Sequence, residues 1–213
     1  MSDDHYFSAD PSVPFTREPF VCEVWGHRLE LASGSGVYSR GRLDKGTGVL
    51  LRETEPPPPG RVLDLGTGYG VIGLAIADAW RRAGVPAGAA SGVTGVEVNS
   101  RAVLLANENA AALGLGDRYV ACDPSAVPQS VKLDEIWSNP PIRIGKDALH
   151  ALLLQWFARL RPTGRALLVV GKNLGSDTLQ AWLTDAGYPT TRLATAKGFR
   201  VLESRPPPGS TPG

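Results

Sequence analysis

"RVLDLGTGYGVIGLAIADAW", residues 61–80, decides how the chain folds. Arg61 to Leu65 is a short apolar run that reads as a strand, and 71–84 has the apolar spacing of an amphipathic helix. Between them Gly66, Gly68 and Gly70 stand at alternate positions. Glycine loses more backbone freedom on folding than any other residue, so three in five positions imply a turn that requires them. The backbone there can turn sharply and approach a ligand closely. The helix that follows offers free N–H groups and the positive end of its dipole, which suit an anionic group.

Working outward, the same alternation continues. Strands are expected at 92–98, 118–123, 133–138 and 165–171, with helices at 100–114, 146–161 and 176–187. "TTRLATAKGFRVLES", 190–204, reads as a closing β-hairpin. Short apolar strands alternating with helices predict an α/β fold: a Rossmann-like, mostly parallel seven-stranded sheet with helices on both faces and an antiparallel C-terminal hairpin. Residues 1–54 read as a small appendage: a polar arm, a hairpin at 20–33 around a Gly26-His27 turn, a glycine-rich loop at 34–48 and a short helix around 49–53. The proline run at 55–60 reads as a stiff connector, 61–204 as the main domain and 205–213 as a disordered tail.

The bulk numbers suit this reading. A chain of 213 residues, 42% hydrophobic, builds one domain with a sizeable core. With 22 Lys and Arg against 21 Asp and Glu, net charge gives no bulk attraction to nucleic acid or membrane, although folding can gather scattered charges into a patch. Cys22 and Cys122, and His5, His27 and His150, lack metal-ligand spacing, so no metal is expected and a reducing, cytoplasmic setting fits. No secretory signal is visible, and no apolar run approaches the roughly 20 residues that span a bilayer.

A glycine loop alone is a weak signal, because Gly68-x-Gly70-x-x-Gly73 also fits the dinucleotide pattern. Asp64 weighs against a nicotinamide oxidoreductase: it sits at the end of the first strand, where dinucleotide folds usually carry an apolar residue. Glu97 in "GVEVN" could take ribose hydroxyls in either family. It lies further on than the roughly 20 residues expected, and 83–92 reads as a loop expansion that accounts for the gap.

"VLDLGTGYGVIGLAIA" together with "GVEVN" resembles the class I S-adenosylmethionine-dependent methyltransferases. The resemblance implies that Asp64, Gly66, Thr67, Gly68 and Gly70 lie against the methionine part of the cofactor. It implies that Glu97, beside Val98, takes the ribose hydroxyls, and that Asp123 lies near the adenine amine unless it only caps a turn. "LDKGTG", 43–48, resembles a loop that closes over the cofactor through Gly46 or Thr47, an ordinary glycine turn being the alternative.

"SNPPI", 138–142, ends the fourth strand on Asn139, Pro140 and Pro141. This resembles the Asn-Pro-Pro-aromatic signature of methyltransferases that act on planar amino groups, which gives these three residues the catalytic role. The lone pair of such a nitrogen is delocalised. Two acceptors, the Asn139 side-chain oxygen and the Pro140 carbonyl, would hold its two hydrogens and aim the lone pair at the methyl group. Ile142 stands where an aromatic usually stacks on the base; Phe199 or Tyr38 is the substitute, or else a packing residue. Arg143 and Lys146, with Arg40, Arg42, Lys172 and Arg200, would form a basic rim for RNA phosphates, each being otherwise a solvated charge.

Longer phrases, "HYFSADPSVP", "GVYSRGRLDKGTGVLL", "SNPPIRIGKDALHALL" and "AKGFRVLES", resemble the small-domain (MTS) methyltransferases, relatives of the ribosomal RNA guanine-N2 enzymes of the RsmC type. Larger members of that group carry a duplicated N-terminal domain, which this sequence does not show. The resemblance implies S-adenosylmethionine as cofactor and ribosomal RNA as partner. The alternatives are a protein glutamine amide or a small molecule as methyl acceptor.

Overall fold

A computed structural model describes residues 15–37, 41–88, 90–207 and 209. The arm at 1–14, Tyr38, Arg40 and most of the tail therefore lie outside the described residues. The elements run β1 (Arg17–Val24), β2 (His27–Gly34), α1 (Lys45–Arg52), β3 (Arg61–Leu65), α2 (Val71–Arg82), β4 (Gly92–Val96), α3 (Ser100–Ala112) and β5 (Tyr119–Cys122). They continue with β6 (Leu133–Ser138), α4 (Lys146–Phe157), β7 (Leu160–Gly171), α5 (Ser176–Asp185), β8 (Thr190–Ala196) and β9 (Phe199–Ser204).

The expected seven-stranded sheet is present, in the order β5-β4-β3-β6-β7-β9-β8. β3 to β7 are parallel, and β9 runs antiparallel between β7 and β8. Strand side chains alternate between two covered faces. Val62, Trp137, Leu167, Val169 and Val201 join the core beneath α1, α2, α3 and the β1–β2 hairpin. Their neighbours Leu63, Ile136, Leu168, Val170 and Leu202 join the core beneath α4 and α5. Burial on both sides is why the strands read as continuous apolar runs. Strand order reverses between β3 and β6, and the crevice at their C-terminal ends is where open α/β sheets take ligands.

Three sequence expectations shift. The first hairpin turns on Trp25-Gly26 rather than Gly26-His27; both turn residues have positive φ, 49° and 76°, the twist a two-residue hairpin favours. α1 begins four residues early, at Lys45, because Asp44 caps it by accepting from the Gly46 and Thr47 N–H groups at 2.7 and 3.0 Å. α4 stops at Phe157: the Arg159 carbonyl is taken by Leu133 N–H at 2.9 Å, and the sheet claims the chain from Leu160.

The appendage and connector pack onto the sheet domain. Cys22, Val24, Leu29, Leu31, Val49 and Leu50 share a core cluster with α2 and α3. The Trp25 and Trp80 indoles donate to the Thr54 and Pro57 carbonyls, each at 2.7 Å, pinning the first half of the proline run. At the other terminus, Arg205 N–H donates to the Pro189 carbonyl at 3.0 Å and Pro206 is buried.

Candidate active site

A cavity of about 400 Å³ opens at the switch point. One wall is the glycine loop after β3, another the end of β4, and a third the segment after β6. The N-terminal segment contributes Val37, Asp44 and Thr47, and the last strand contributes Phe199.

The glycine-loop end is built by backbone. Gly66 and Thr67 N–H groups donate to the Val96 carbonyl at 3.0 and 3.1 Å, which ties the loop to the end of β4. Gly68 has φ 56°, and a Cβ placed there would meet nothing within 4 Å; one at Gly66 would come no nearer than 3.9 Å to Pro141. The bare backbone of the loop therefore borders open space in the pocket, a cradle that side chains would fill. Glu97 stands at its edge. Its Oε2 accepts from Gly68 N–H at 3.1 Å, and its Oε1 accepts from Val98 and Asn99 N–H groups at 2.9 and 3.1 Å. Burial raises the Glu97 pKa, and these three donors oppose the rise. Oε2, with one donor, keeps lone-pair capacity for a hydroxyl.

Beneath the loop lies a polar network that sequence reading did not anticipate. Asp64 is fully buried; its Oδ2 accepts from Thr67 Oγ1 at 2.6 Å and from Gly73 N–H at 2.9 Å. Thr67 Oγ1 and the Tyr119 hydroxyl lie 2.8 Å apart. Since Thr67 gives its one proton to Asp64, Tyr119 is the donor of that second bond. Burial pushes the Asp64 carboxyl up to about 6. Gly95, the register partner of Asp64, leaves room for this cluster: a Cβ there would collide with the Tyr119 hydroxyl and meet Thr67 Cγ2 at 2.8 Å.

The other end is built by side chains. The Ser138 hydroxyl, fully buried, donates to the Leu65 carbonyl at 2.6 Å and locks the end of β6 to the end of β3. Asn139 follows, with its Nδ2 donating to Asp44 Oδ2 at 2.7 Å and to Thr47 Oγ1 at 3.1 Å. Ile142 N–H donates to the Pro140 carbonyl at 2.8 Å, and Pro141 has φ −74° and ψ 72°, an inverse γ-turn. That carbonyl retains a second lone pair for an outside donor.

The structure brings together Thr47, Gly66, Thr67, Gly68, Glu97, Val98, Asn139, Pro140, Pro141, Ile142 and Arg143 on the pocket wall. Others on which the sequence reading placed a role lie off it. Asp64 is under the loop, and Gly70 starts α2 with a left-handed backbone at φ 96°. Asp123 is exposed and caps the turn at Pro124–Ala126, accepting from Ser125 N–H at 2.8 Å. Lys146 is exposed at the start of α4, and Arg200 is ion-paired with Asp177. Phe199 is half-buried and lines the pocket. Asp44 and Ser138 were missed. The signal for Asp44 was present, an acid two residues before Gly-Thr-Gly at a helix start.

Residues 28–203 match the family described as "Methyltransferase small domain". The chain belongs to this family. S-adenosylmethionine is the family's cofactor, and the glycine cradle, Glu97 and the apolar walls of the pocket fit it. Among similar proteins, "Uncharacterized protein YbxB" of Bacillus subtilis (strain 168) is 28% identical over 95% of this chain and 98% of its own length. "Ribosomal RNA small subunit methyltransferase C" of Pseudomonas entomophila (strain L48) is 35% identical, over 94% of this chain and 58% of its own. The T. thermophilus 16S rRNA N2 G1207 methyltransferase (RsmC), solved in complex with AdoMet and guanosine, superposes with a TM-score of 0.76 at 26% identity. That match covers 92% of this chain and 52% of the solved one. The chain thus spans nearly all of the Bacillus protein but little more than half of either methyltransferase.

Proposed function

We propose that this small-domain methyltransferase transfers a methyl group from S-adenosylmethionine to an exocyclic amine of a nucleobase, guanine-N2 of ribosomal RNA. The observation that carries the reading is Asn139-Pro140-Pro141 at the end of β6, facing the glycine cradle across one pocket. Gly66, Thr67 and Gly68 would hold the amino-acid end of the cofactor by their backbone, and Glu97 the ribose hydroxyls. When bound, the cofactor supplies an electrophilic methyl group. The protein's task is to orient the acceptor. Asn139 Oδ1 and the second lone pair of the Pro140 carbonyl accept the two amine hydrogens. With both held, the nitrogen lone pair is directed out of conjugation, and the rigid γ-turn keeps the carbonyl in place.

Ile142 offers an apolar surface to a base face, and Arg143 on the pocket wall, with Lys146 three residues on, would meet phosphates. The target base must be unpaired or flipped, because a duplex hides its amine within the stack. The guanosine in the RsmC complex and the RNA substrate in the names of both methyltransferases support guanine in RNA over glutamine. A cytoplasmic setting follows from this reading.

Labelled S-adenosylmethionine offered with deproteinised ribosomal RNA, intact ribosomal subunits and total protein tests the proposal. The expected result is label in RNA, recovered after digestion as N2-methylguanosine. Label confined to protein would replace the nucleobase with a glutamine amide.

A further inference from the structure

Asn139 can act as an acceptor in only one of its two amide orientations. The two ends of the amide are nearly the same size and shape, so packing hardly distinguishes them. Turned the wrong way, the side chain would present N–H groups to an amine that is itself a donor. Something must fix the orientation, and Ser138, the last residue of β6, spends its hydroxyl on the Leu65 carbonyl, so the fixing group comes from elsewhere.

The structure assigns that task to Asp44, assisted by Thr47. A carboxylate only accepts hydrogen bonds. Asp44 Oδ2, 2.7 Å from Asn139 Nδ2, therefore admits the NH₂ end and rejects the oxygen end, whose lone pairs would face its own charge. Thr47 Oγ1 takes the second amide hydrogen at 3.1 Å. Both Nδ2 donors are then used, and Oδ1 is directed away from the carboxylate. Asp44 is itself held: the same Oδ2 accepts from the Gly46 and Thr47 N–H groups of the first turn of α1. That turn is anchored by the buried Val49, Leu50 and Leu51, and α1 packs on β7 and β9. Asp44 is thus a positioning residue that sets the amide flip of the catalytic Asn139, and helix capping is only part of its work. The inference rests on the reading that Asn139 receives an amine.

Asp44→Gly separates the two roles. Glycine at an N-cap costs little relative to aspartate, so α1 is kept and the melting temperature falls only slightly. The carboxylate is gone, and the Thr47 hydroxyl, able to donate or accept, pairs with either end of the amide, so the lock is lost. The expected result is kcat for RNA methylation lower by about 10- to 100-fold, with KM for RNA and S-adenosylhomocysteine affinity unchanged. In an Asn139→Ala background the same substitution should change nothing further, because Asp44 acts through Asn139. In ¹⁵N spectra the Asn139 side-chain NH₂ signal, identified by its loss in Asn139→Ala, should move and exchange faster with solvent in Asp44→Gly. A wild-type rate in Asp44→Gly, an additive effect in the double variant, or a tenfold loss of S-adenosylhomocysteine affinity would overturn the inference while leaving the function intact. Absence of RNA labelling by the wild type would overturn the function instead. The NMR signal then decides the lock alone: unchanged in Asp44→Gly, the lock is refuted; shifted, it stands for whichever planar amine is the acceptor.

Discussion

At the glycine-loop end of the pocket, apart from the Tyr119 bond beneath the loop, the bonds are local, joining residues 3, 9 and 29 positions apart: Asp64 with Thr67, Asp64 with Gly73, and Glu97 with Gly68. At the Asn139 end they join residues 95 and 92 positions apart, Asn139 with Asp44 and with Thr47. The first end is a property of one βαβ unit, in which two parallel strands and the helix between them dictate where the loop goes. The second exists only when the N-terminal helix has docked beside the end of β6. On the proposed function, local geometry binds and long-range geometry orients. The difference teaches that affinity for the cofactor and competence for transfer should respond to separate substitutions.

The sharpest test of that separation is Asn139→Ala. It should lower kcat by about 10²- to 10³-fold, the loss typical of an oriented acceptor or donor in a reaction site, with S-adenosylhomocysteine affinity kept within about threefold. Radiolabel transfer and calorimetry on the same preparation check both halves. Glu97→Ala should do the reverse. It removes a charged hydrogen-bond acceptor, so calorimetry should show S-adenosylhomocysteine binding weaker by about 10- to 100-fold, and saturating cofactor should restore turnover.

A pH experiment probes the foundation of the loop end. The Asp64 carboxyl titrates near 6 in the folded protein against an ordinary 3.8. Between those values the native state holds the extra proton. The stabilisation this gives is fully present below the unfolded value and is lost as pH rises through 6. From pH 5 to 7.5 the wild type should lose about 1.4 kcal/mol more stability than Asp64→Asn, measured by urea unfolding. Parallel losses in the two proteins would show that the carboxyl is not shielded as the structure has it.

The smallest effect is expected from Thr47→Val. The substitution removes the second acceptor for Asn139 Nδ2 and leaves Asp44 in place, so kcat should fall by about threefold with cofactor affinity unchanged. A fall as large as that of Asn139→Ala would shift the weight of positioning from Asp44 to Thr47.

The same local and long-range distinction explains what the sequence made legible. β3, the glycine loop, Glu97 and Asn139-Pro140-Pro141 are written in neighbouring residues, because strand periodicity, glycine spacing and proline stiffness act over a few positions. Asp44 was read only as part of a loop that closes over the cofactor through Gly46 or Thr47, because its partner Asn139 lies far along the chain. Tyr119 escaped for the same reason, 52 positions from Thr67, although Gly95 in β4 marks the space its hydroxyl needs. α4 was read four residues too long, since apolar periodicity continues through Leu160 and only sheet pairing takes that residue away. Asp123 illustrates the opposite case. A strand-end acid looks the same in sequence whether it faces a ligand or caps the next turn, and here its carboxylate is bonded to Ser125.

The packing of α1 on β7 and β9 has a consequence for biosynthesis. Asp44 is synthesised before Asn139, yet the surface that α1 sits on is completed only by β9, Phe199–Ser204. A growing chain can fold its glycine loop against β4 before that docking surface exists. On the proposed function, a chain cut before Phe199 that captures cofactor should modify nothing.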